Sequence, residues 1–152
     1  MKNKICFLTL VLCFQSSVGI VTAAPLPSSS AACIAEEKIE TWADNHTRAA
    51  AELGEWVTIN RDAAREIFKW DATHPEQSKT FVNWVITHQG KGIDAFTAQH
   101  MEWTRFNEII RENHSAVSTF IVWCRFHPKA SMALMQHPRA LHWAGRHLYE
   151  FS

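Results

Sequence analysis

The sequence predicts an all-α protein of about six to seven short helices, arranged as an irregular bundle or a small α-solenoid-like stack of helical hairpins. Apolar residues recur at helical spacing along most of the 152-residue chain, and no alternation of period two persists. The chain has only five glycines, and three His-Pro pairs divide it into short segments. Together these observations favour short helices joined by tight turns.

Residues 1–23 have the layout of a cleaved secretory signal peptide. Lys2 and Lys4 precede an apolar core at residues 5–14, which is too short to span a bilayer as a transmembrane helix. Small residues follow this core and favour cleavage before Ala24. We therefore expect a periplasmic or secreted protein with no integral membrane segment after cleavage. An uncleaved membrane anchor is the alternative.

Removal of the signal changes the charge balance. The chain has 15 basic and 15 acidic side chains, and the loss of Lys2 and Lys4 leaves a net charge of −2 with neutral histidines. Such a chain lacks the basic surplus of a dedicated nucleic-acid-binding protein. We therefore expect no nucleic-acid partner, and we expect the partner to be another protein of the envelope or the extracellular space.

Two of the four cysteines, Cys33 and Cys124, remain after the signal is removed. An oxidising compartment favours their oxidation, so the sequence predicts a disulfide between them. Such a bond would join the start of the first helix to a helix near the C-terminus. Two buried, unpaired thiols are one alternative, and lipidation of Cys33 is another.

The mature chain is expected to form one domain with a short leading segment. Residues 24–32 are predicted to be a flexible lead-in, and residues 33–152 a single helical domain. The first helix is expected over Ile34–Leu53, with Gly54 as the C′ residue that ends it. Trp56 would then lie in a loop, nearer the surface than the other tryptophans.

Capping residues and prolines set the next two helices. Asn60 is expected to cap a helix over Arg61–Thr73. Pro75 is expected to begin a third helix, which closes at Gly90.

The remaining helices follow from the same signals. Asp94 is expected to cap a long fourth helix that runs to about Asn113. Ser115 is expected to cap a fifth helix that is apolar almost all round and should therefore be central and buried. His127-Pro128 and His137-Pro138 are expected to begin two last short helices.

A weak internal repeat supports this division. A tryptophan near a helix end, followed by a helix that begins with proline, forms the corner of a helical hairpin, and stacked corners make an α-solenoid or an irregular bundle. Ordinary core spacing is an equally good explanation. The matching segments are Trp70-x3-His74-Pro75-x2-Ser78 and Trp123-x3-His127-Pro128-x2-Ser131, and Trp42, Trp56, Trp70 and Trp84 are spaced 14 residues apart.

Histidine is unusually frequent, with nine residues in the chain. Imidazole and thioether ligands suit copper outside the cytosol, so Met132, Met135, His137 and His127 form a candidate copper site. The competing interpretation is structural: the two methionines have the i, i+3 spacing of core residues, and histidine before proline often ends a helix. On that interpretation the protein has no cofactor.

Motifs typical of enzymes are mostly absent. The sequence contains no His-Glu-x-x-His, no Gly-x-Ser-x-Gly and no phosphate-binding loop. This absence favours a non-catalytic helical binding or accessory protein, with a copper-handling protein as the alternative. Trp56, His142 and His147 are the candidate binding-surface residues.

Overall fold

A computed structural model describes residues 29–147 of the protein. Within this range the chain forms nine α-helices and no strand. The all-α prediction is therefore confirmed, although the helices are more numerous than six or seven. Their bounds are α1 Ser29–Asn45, α2 Thr47–Ile59, α3 Arg61–Thr73, α4 Pro75–Thr87, α5 Ile93–Gln99, α6 Thr104–Glu112, α7 His114–Phe126, α8 Pro128–Leu134 and α9 Pro138–His147.

The N-terminal predictions are only partly covered by this range. The predicted signal peptide and residues 24–28 of the predicted lead-in lie outside the described residues. Residues 29–32 belong to α1, so the prediction of a flexible lead-in is wrong there. From α1 onward, all nine helices contribute buried side chains to one hydrophobic core.

Five of the joints between consecutive helices consist of a single residue. Each has φ between −136° and −119° and ψ between 31° and 56°, so the chain bends without a loop. At each joint the carbonyl accepts a hydrogen bond from the amide four residues later, at 2.8 or 2.9 Å. The joint residue thus ends one helix and begins the next. These residues are His46, Asn60, His74, Asn113 and His127.

The one-residue joint explains the 14-residue spacing of the tryptophans. The helices α2, α3 and α4 have 13 residues each, and one joint residue completes the period. Trp56 and Trp70 therefore lie four residues before a joint, and their carbonyls accept the amide protons of Asn60 and His74 at 2.9 Å. The spacing marks a repeated helix length.

Three tryptophans, two of them from this 14-residue series, also connect distant helices. Each indole Nε1 donates a hydrogen bond to a backbone carbonyl: Trp42 to Ala130 in α8 at 2.9 Å, and Trp123 to Ala49 in α2 at 3.0 Å. The third, from Trp56 in α2, reaches α7 at 3.1 Å. The partners are 60 to 88 residues apart in sequence, so each bond fixes a helix end to a different part of the fold.

The helix α7 lies at the centre of the molecule. It packs against α2, α3, α4, α5, α6 and α8, as its apolar sequence predicts. However, Val122 and Phe126 on one face of α7 remain exposed. The helix α9 packs mainly against α3 and α1, which brings the end of the described chain back to its beginning.

Several predicted helix boundaries are wrong for one reason. The predicted first helix is divided at His46 into α1 and α2, and Gly54 lies inside α2 instead of ending a helix. The predicted fourth helix is divided into α5 and α6, and Asn113, not Ser115, precedes α7. Most of these joints are formed by histidine or asparagine. A prediction that places helix ends at glycine therefore puts them at the wrong residues. Trp56 is consequently buried in α2, not placed in a loop.

The predicted disulfide is not formed, because Cys33 and Cys124 are free thiols in different environments. Cys33 is exposed near the start of α1, which packs on α2, α8 and α9. Cys124 is fully buried in α7. Burial raises the pKa of the Cys124 thiol, and the charge of nearby Asp71 raises it further.

Asp71 is the one acidic side chain among the buried residues that the structure describes. Its carboxylate accepts a hydrogen bond from Ser78 Oγ at 2.7 Å across the α3–α4 joint. Burial raises the pKa of Asp71 from 3.8 to about 7, and the Ser78 hydrogen bond opposes part of that rise. Between these two pKa values the folded protein therefore keeps a proton on Asp71 that the unfolded chain has lost.

Glycine has two different roles in the helices. Gly145 in α9 lies against α3, where an added Cβ would be 3.1 Å from Phe68 Cβ and 3.3 Å from the Arg65 carbonyl. A side chain at this position would be tighter than ordinary van der Waals contact, so α3 or α9 would have to shift to accept it. An added Cβ at Gly54 in α2 would meet no atom within 4 Å.

The buried carboxyl of Asp71 gives a pH dependence of stability. Between about pH 4 and pH 7 the unfolded carboxyl is ionised while the folded one is protonated, so the free energy of unfolding should fall as pH rises, by up to roughly 1.4 kcal/mol per pH unit. Below pH 4 and above pH 7 this contribution should be flat. Urea denaturation of Asp71→Asn should show a weaker slope in that window, whereas Asp44→Asn, which changes an exposed acid, should keep it. An unchanged slope in Asp71→Asn would contradict the assignment.

The two helical glycines should respond oppositely to alanine. Gly54→Ala should raise the free energy of unfolding by about 0.5–1 kcal/mol, because alanine favours the helix and meets open space. Gly145→Ala should lower it by about 1–3 kcal/mol, because the added methyl overpacks the α3–α9 contact. Chemical denaturation measures both, and a stabilised Gly145→Ala would show that α9 can move away from α3.

Candidate functional site

An apolar cleft opens between α1, α2 and α9. Its volume is about 450 Å³. Clefts of this size hold small molecules or a few large side chains. It is lined by Glu36, Ile39, Glu40, Trp42, Ala43, Ala50, Ala51, Leu53, Gly54, Glu55, Phe68, Leu134, Trp143 and Ala144.

The floor of the cleft is part of the hydrophobic core. Phe68 in α3, Leu134 in α8 and Leu53 in α2 are each at most 2 % exposed, yet all three line the cleft. The cleft therefore reaches the core instead of resting on the outer surface. Half-buried Trp143 in α9 forms part of the wall and offers an aromatic face to a ligand.

Small residues on α2 keep the cleft open. Ala50, Ala51 and Gly54 line it from one side, and the space beyond Gly54 is empty for at least 4 Å around an added Cβ. Glycine inside a helix costs about 1 kcal/mol relative to alanine. A larger residue at position 54 would stabilise the helix and occupy the cleft.

The rim of the cleft is acidic. Glu36 and Glu40 on α1 and Glu55 on α2 line it, and no lysine, arginine or histidine does. Among the described residues, none of these three carboxylates forms a salt bridge. The cleft thus combines an apolar interior with an unneutralised negative edge.

The candidate copper residues lie in different environments. His127 Nε2 is 2.6 Å from Glu52 Oε2, so the imidazole is already paired with a carboxylate on α2. Met135 is fully buried, and Met132 packs partly buried against the core. His137 lines a shallow groove between α1 and α8 that does not include His127. These positions favour the core interpretation of the two methionines.

Among residues 29–147, no group of three or more histidine, cysteine, aspartate or glutamate side chains is arranged to hold a metal ion. The copper site stays a prediction from sequence.

The candidate binding-surface residues do not form one surface. Trp56 is buried, and its indole nitrogen bonds to α7. His142 is half-buried in α9, and burial, together with the charges of Arg146 and Lys69, lowers its pKa. His147 stacks on Trp143, which lines the cleft, with ring centres 5.5 Å apart.

Sequence reasoning missed the residues that make the cleft. Trp143 and the glutamates carry no motif, and Gly54 was interpreted as a helix end. The available signal was a cluster of small residues, Ala49-Ala50-Ala51 and Gly54, which lies within one turn and a half of α2.

The fold and the cleft define a class: an all-α protein whose short helices meet at one-residue joints and enclose an apolar, acid-rimmed cleft. The chain shows no significant match to any protein-family model, curated protein or solved structure with which it was compared. No helix in residues 29–147 is both long enough and apolar enough to cross a membrane.

Proposed function

We propose that this protein is an exported, non-catalytic helical binding protein whose cleft takes the apolar part of a positively charged ligand. The observation that carries the proposal is the combination of a core-deep apolar cleft of about 450 Å³ with three unpaired glutamates at its rim. The expectation of export rests on the signal-like layout of residues 1–23.

The energetics favour an amphipathic ligand. Apolar surface that enters the cleft contributes about 25 cal/mol for each Å² removed from water. The carboxylates at the rim add orientation and charge selectivity more than affinity, because exposed ion pairs contribute only about 0.2–1 kcal/mol each. An anionic ligand of the same shape would meet repulsion from Glu36, Glu40 and Glu55.

The chemistry of the lining supports binding over catalysis. Among residues 29–147, the ionisable side chains that line the cleft are the three glutamates at its edge. Within the same range, no histidine, cysteine, serine or lysine lines it to serve as a nucleophile or a general base. The buried thiol of Cys124 is not among the lining residues.

The cleft should discriminate between ligands by charge. In calorimetric titrations of the mature protein, 4-phenylbutylamine should bind more tightly than 4-phenylbutyrate, by up to about tenfold from ion pairing with the rim. Trp42 and Trp143 line the cleft, so tryptophan emission should change with the same midpoint. Tighter binding of the carboxylate would contradict the proposal.

A filled cleft provides the matched control for that titration. Gly54→Leu should fold normally and abolish amine binding, because its side chain enters the open space of the cleft. Gly92→Leu adds the same side chain where a Cβ also meets no atom within 4 Å, but outside the cleft, and should bind as the unchanged protein does. Equal binding by both variants would overturn the assignment of the site.

A further inference from the structure

Three of the five large apolar side chains that are exposed in the described part of the chain line a second groove, between α2 and α7. Ile59 is 73 % exposed, Phe126 76 % and Val122 48 %, and all three line this groove. Contiguous exposed apolar residues of this size are typical of interaction surfaces. Its volume is about 390 Å³.

The groove runs between two antiparallel helices. Trp56 on α2 donates to the Ala116 carbonyl of α7, and Trp123 on α7 donates to the Ala49 carbonyl of α2, so the two helices run antiparallel. Residues 52–59 of α2 extend for about 10 Å along it. Each helix contributes one face, with Glu52, Glu55, Trp56 and Ile59 from α2, Asn60 from the joint that follows it, and Ser115, Thr119, Val122, Trp123 and Phe126 from α7.

The indole N–H groups of both tryptophans in the groove have hydrogen-bond partners. Trp56 Nε1 donates to the Ala116 carbonyl and lies 2.9 Å from Thr119 Oγ1, while Trp123 Nε1 is bonded to Ala49. Both indoles are buried, at 7 % and 6 % exposed, and because the N–H of each is already bonded, the small part that reaches the groove is apolar. Aromatic floors of this kind anchor partner residues in protein interfaces.

The rim of the groove is acidic on the α2 side. Glu52 accepts hydrogen bonds from His127 and Arg48, and these hold the pKa of Glu52 below its ordinary value of 4.5, so it stays ionised near neutral pH. Glu55 forms no salt bridge with the described residues. Among the residues that the structure describes, no basic side chain lines the groove.

We propose that the α2–α7 groove docks an amphipathic helix of a partner protein, whose apolar face packs on Ile59 and Phe126 and whose basic residues face the α2 carboxylates. Recognition of this kind uses apolar anchors at i, i+3, i+4 and i+7 of the bound helix. Charge complementarity sets the partner: an acidic rim attracts lysine and arginine beside the apolar stripe.

The same charges disfavour the other occupants of such a groove. In a two-fold dimer both copies would present the same patch, so Glu55 of each copy would lie in an interface whose described lining offers it no basic partner. An anionic membrane surface would be repelled in the same way. The groove shares one lining residue, Glu55, with the cleft of the proposed function, and all its other lining side chains are different.

The probe is a synthetic helical peptide of about 18 residues, or about five turns, with leucine on one face and lysine elsewhere. A fluorescein-labelled copy should bind the mature protein, and a peptide with glutamate in place of lysine should bind about tenfold more weakly or worse. The double variant Ile59→Ser, Phe126→Ser should lose about tenfold or more in affinity for the lysine peptide. Both residues are exposed, so the core is untouched.

The matched control is Met101→Ser, which removes an equally exposed apolar side chain outside the groove. It should bind the lysine peptide as the unchanged protein does. Equal losses in Met101→Ser and the double variant, or no loss in either, would overturn the proposal. So would stronger binding of the glutamate peptide.

Two further measurements separate the alternatives. Sedimentation velocity should find the unchanged protein monomeric, and a dimer that the double variant abolishes would assign the groove to a second copy and overturn the proposal. Flotation with phosphatidylglycerol vesicles should find no binding that depends on Ile59 and Phe126.

The two proposed sites can be tested separately. Gly54→Leu should retain peptide binding, and the double variant should retain 4-phenylbutylamine binding, so failure of one site is distinguishable from failure of the other.

Discussion

The hydrogen bond from a tryptophan indole to the backbone of a distant helix is the interaction on which this fold depends. A one-residue joint changes the direction of the chain but does not by itself fix where the next helix goes. Trp42, Trp56 and Trp123 each lie four residues before a joint and each donate to a carbonyl at least 60 residues away. The tryptophan that precedes each joint therefore also fixes its own helix against a helix that is distant in sequence. Large aromatic burial and a satisfied N–H make tryptophan suited to both roles.

The same arrangement gives the two surfaces for which we propose functions. Reciprocal indole bonds hold α2 against α7, and α1 is held to α8 by the bond from Trp42. The helix α2 is therefore a fixed ridge with an open groove on each side. One groove is the acid-rimmed cleft beside α1 and α9, and the other is the exposed apolar groove beside α7. Neither requires a mobile element in order to open.

Much of the architecture could be predicted from sequence, and the corner segments explain why. Trp70-x3-His74-Pro75-x2-Ser78 and Trp123-x3-His127-Pro128-x2-Ser131 form equivalent joints, in which Ser78 bonds to Asp71 and Ser131 to Cys124. The helix count was underestimated because His46, and residues 100–103 between α5 and α6, end helices without glycine or proline beside them. The prediction of a Cys33–Cys124 disulfide was wrong because neither the cellular compartment nor the number of cysteines fixes the distance between the two thiols. The cleft was missed because empty space leaves no motif.

Hydrogen exchange of the indole protons, followed by NMR, tests the central role of these bonds most directly. The Nε1 protons of Trp42, Trp56 and Trp123 should exchange only through opening of the whole fold, as slowly as the most protected backbone amides. Trp103, which is half-buried and makes no such bond within the described residues, should exchange much faster. Exchange of the three protons at the rate of Trp103 would contradict the account, because the helices would then be held together without them.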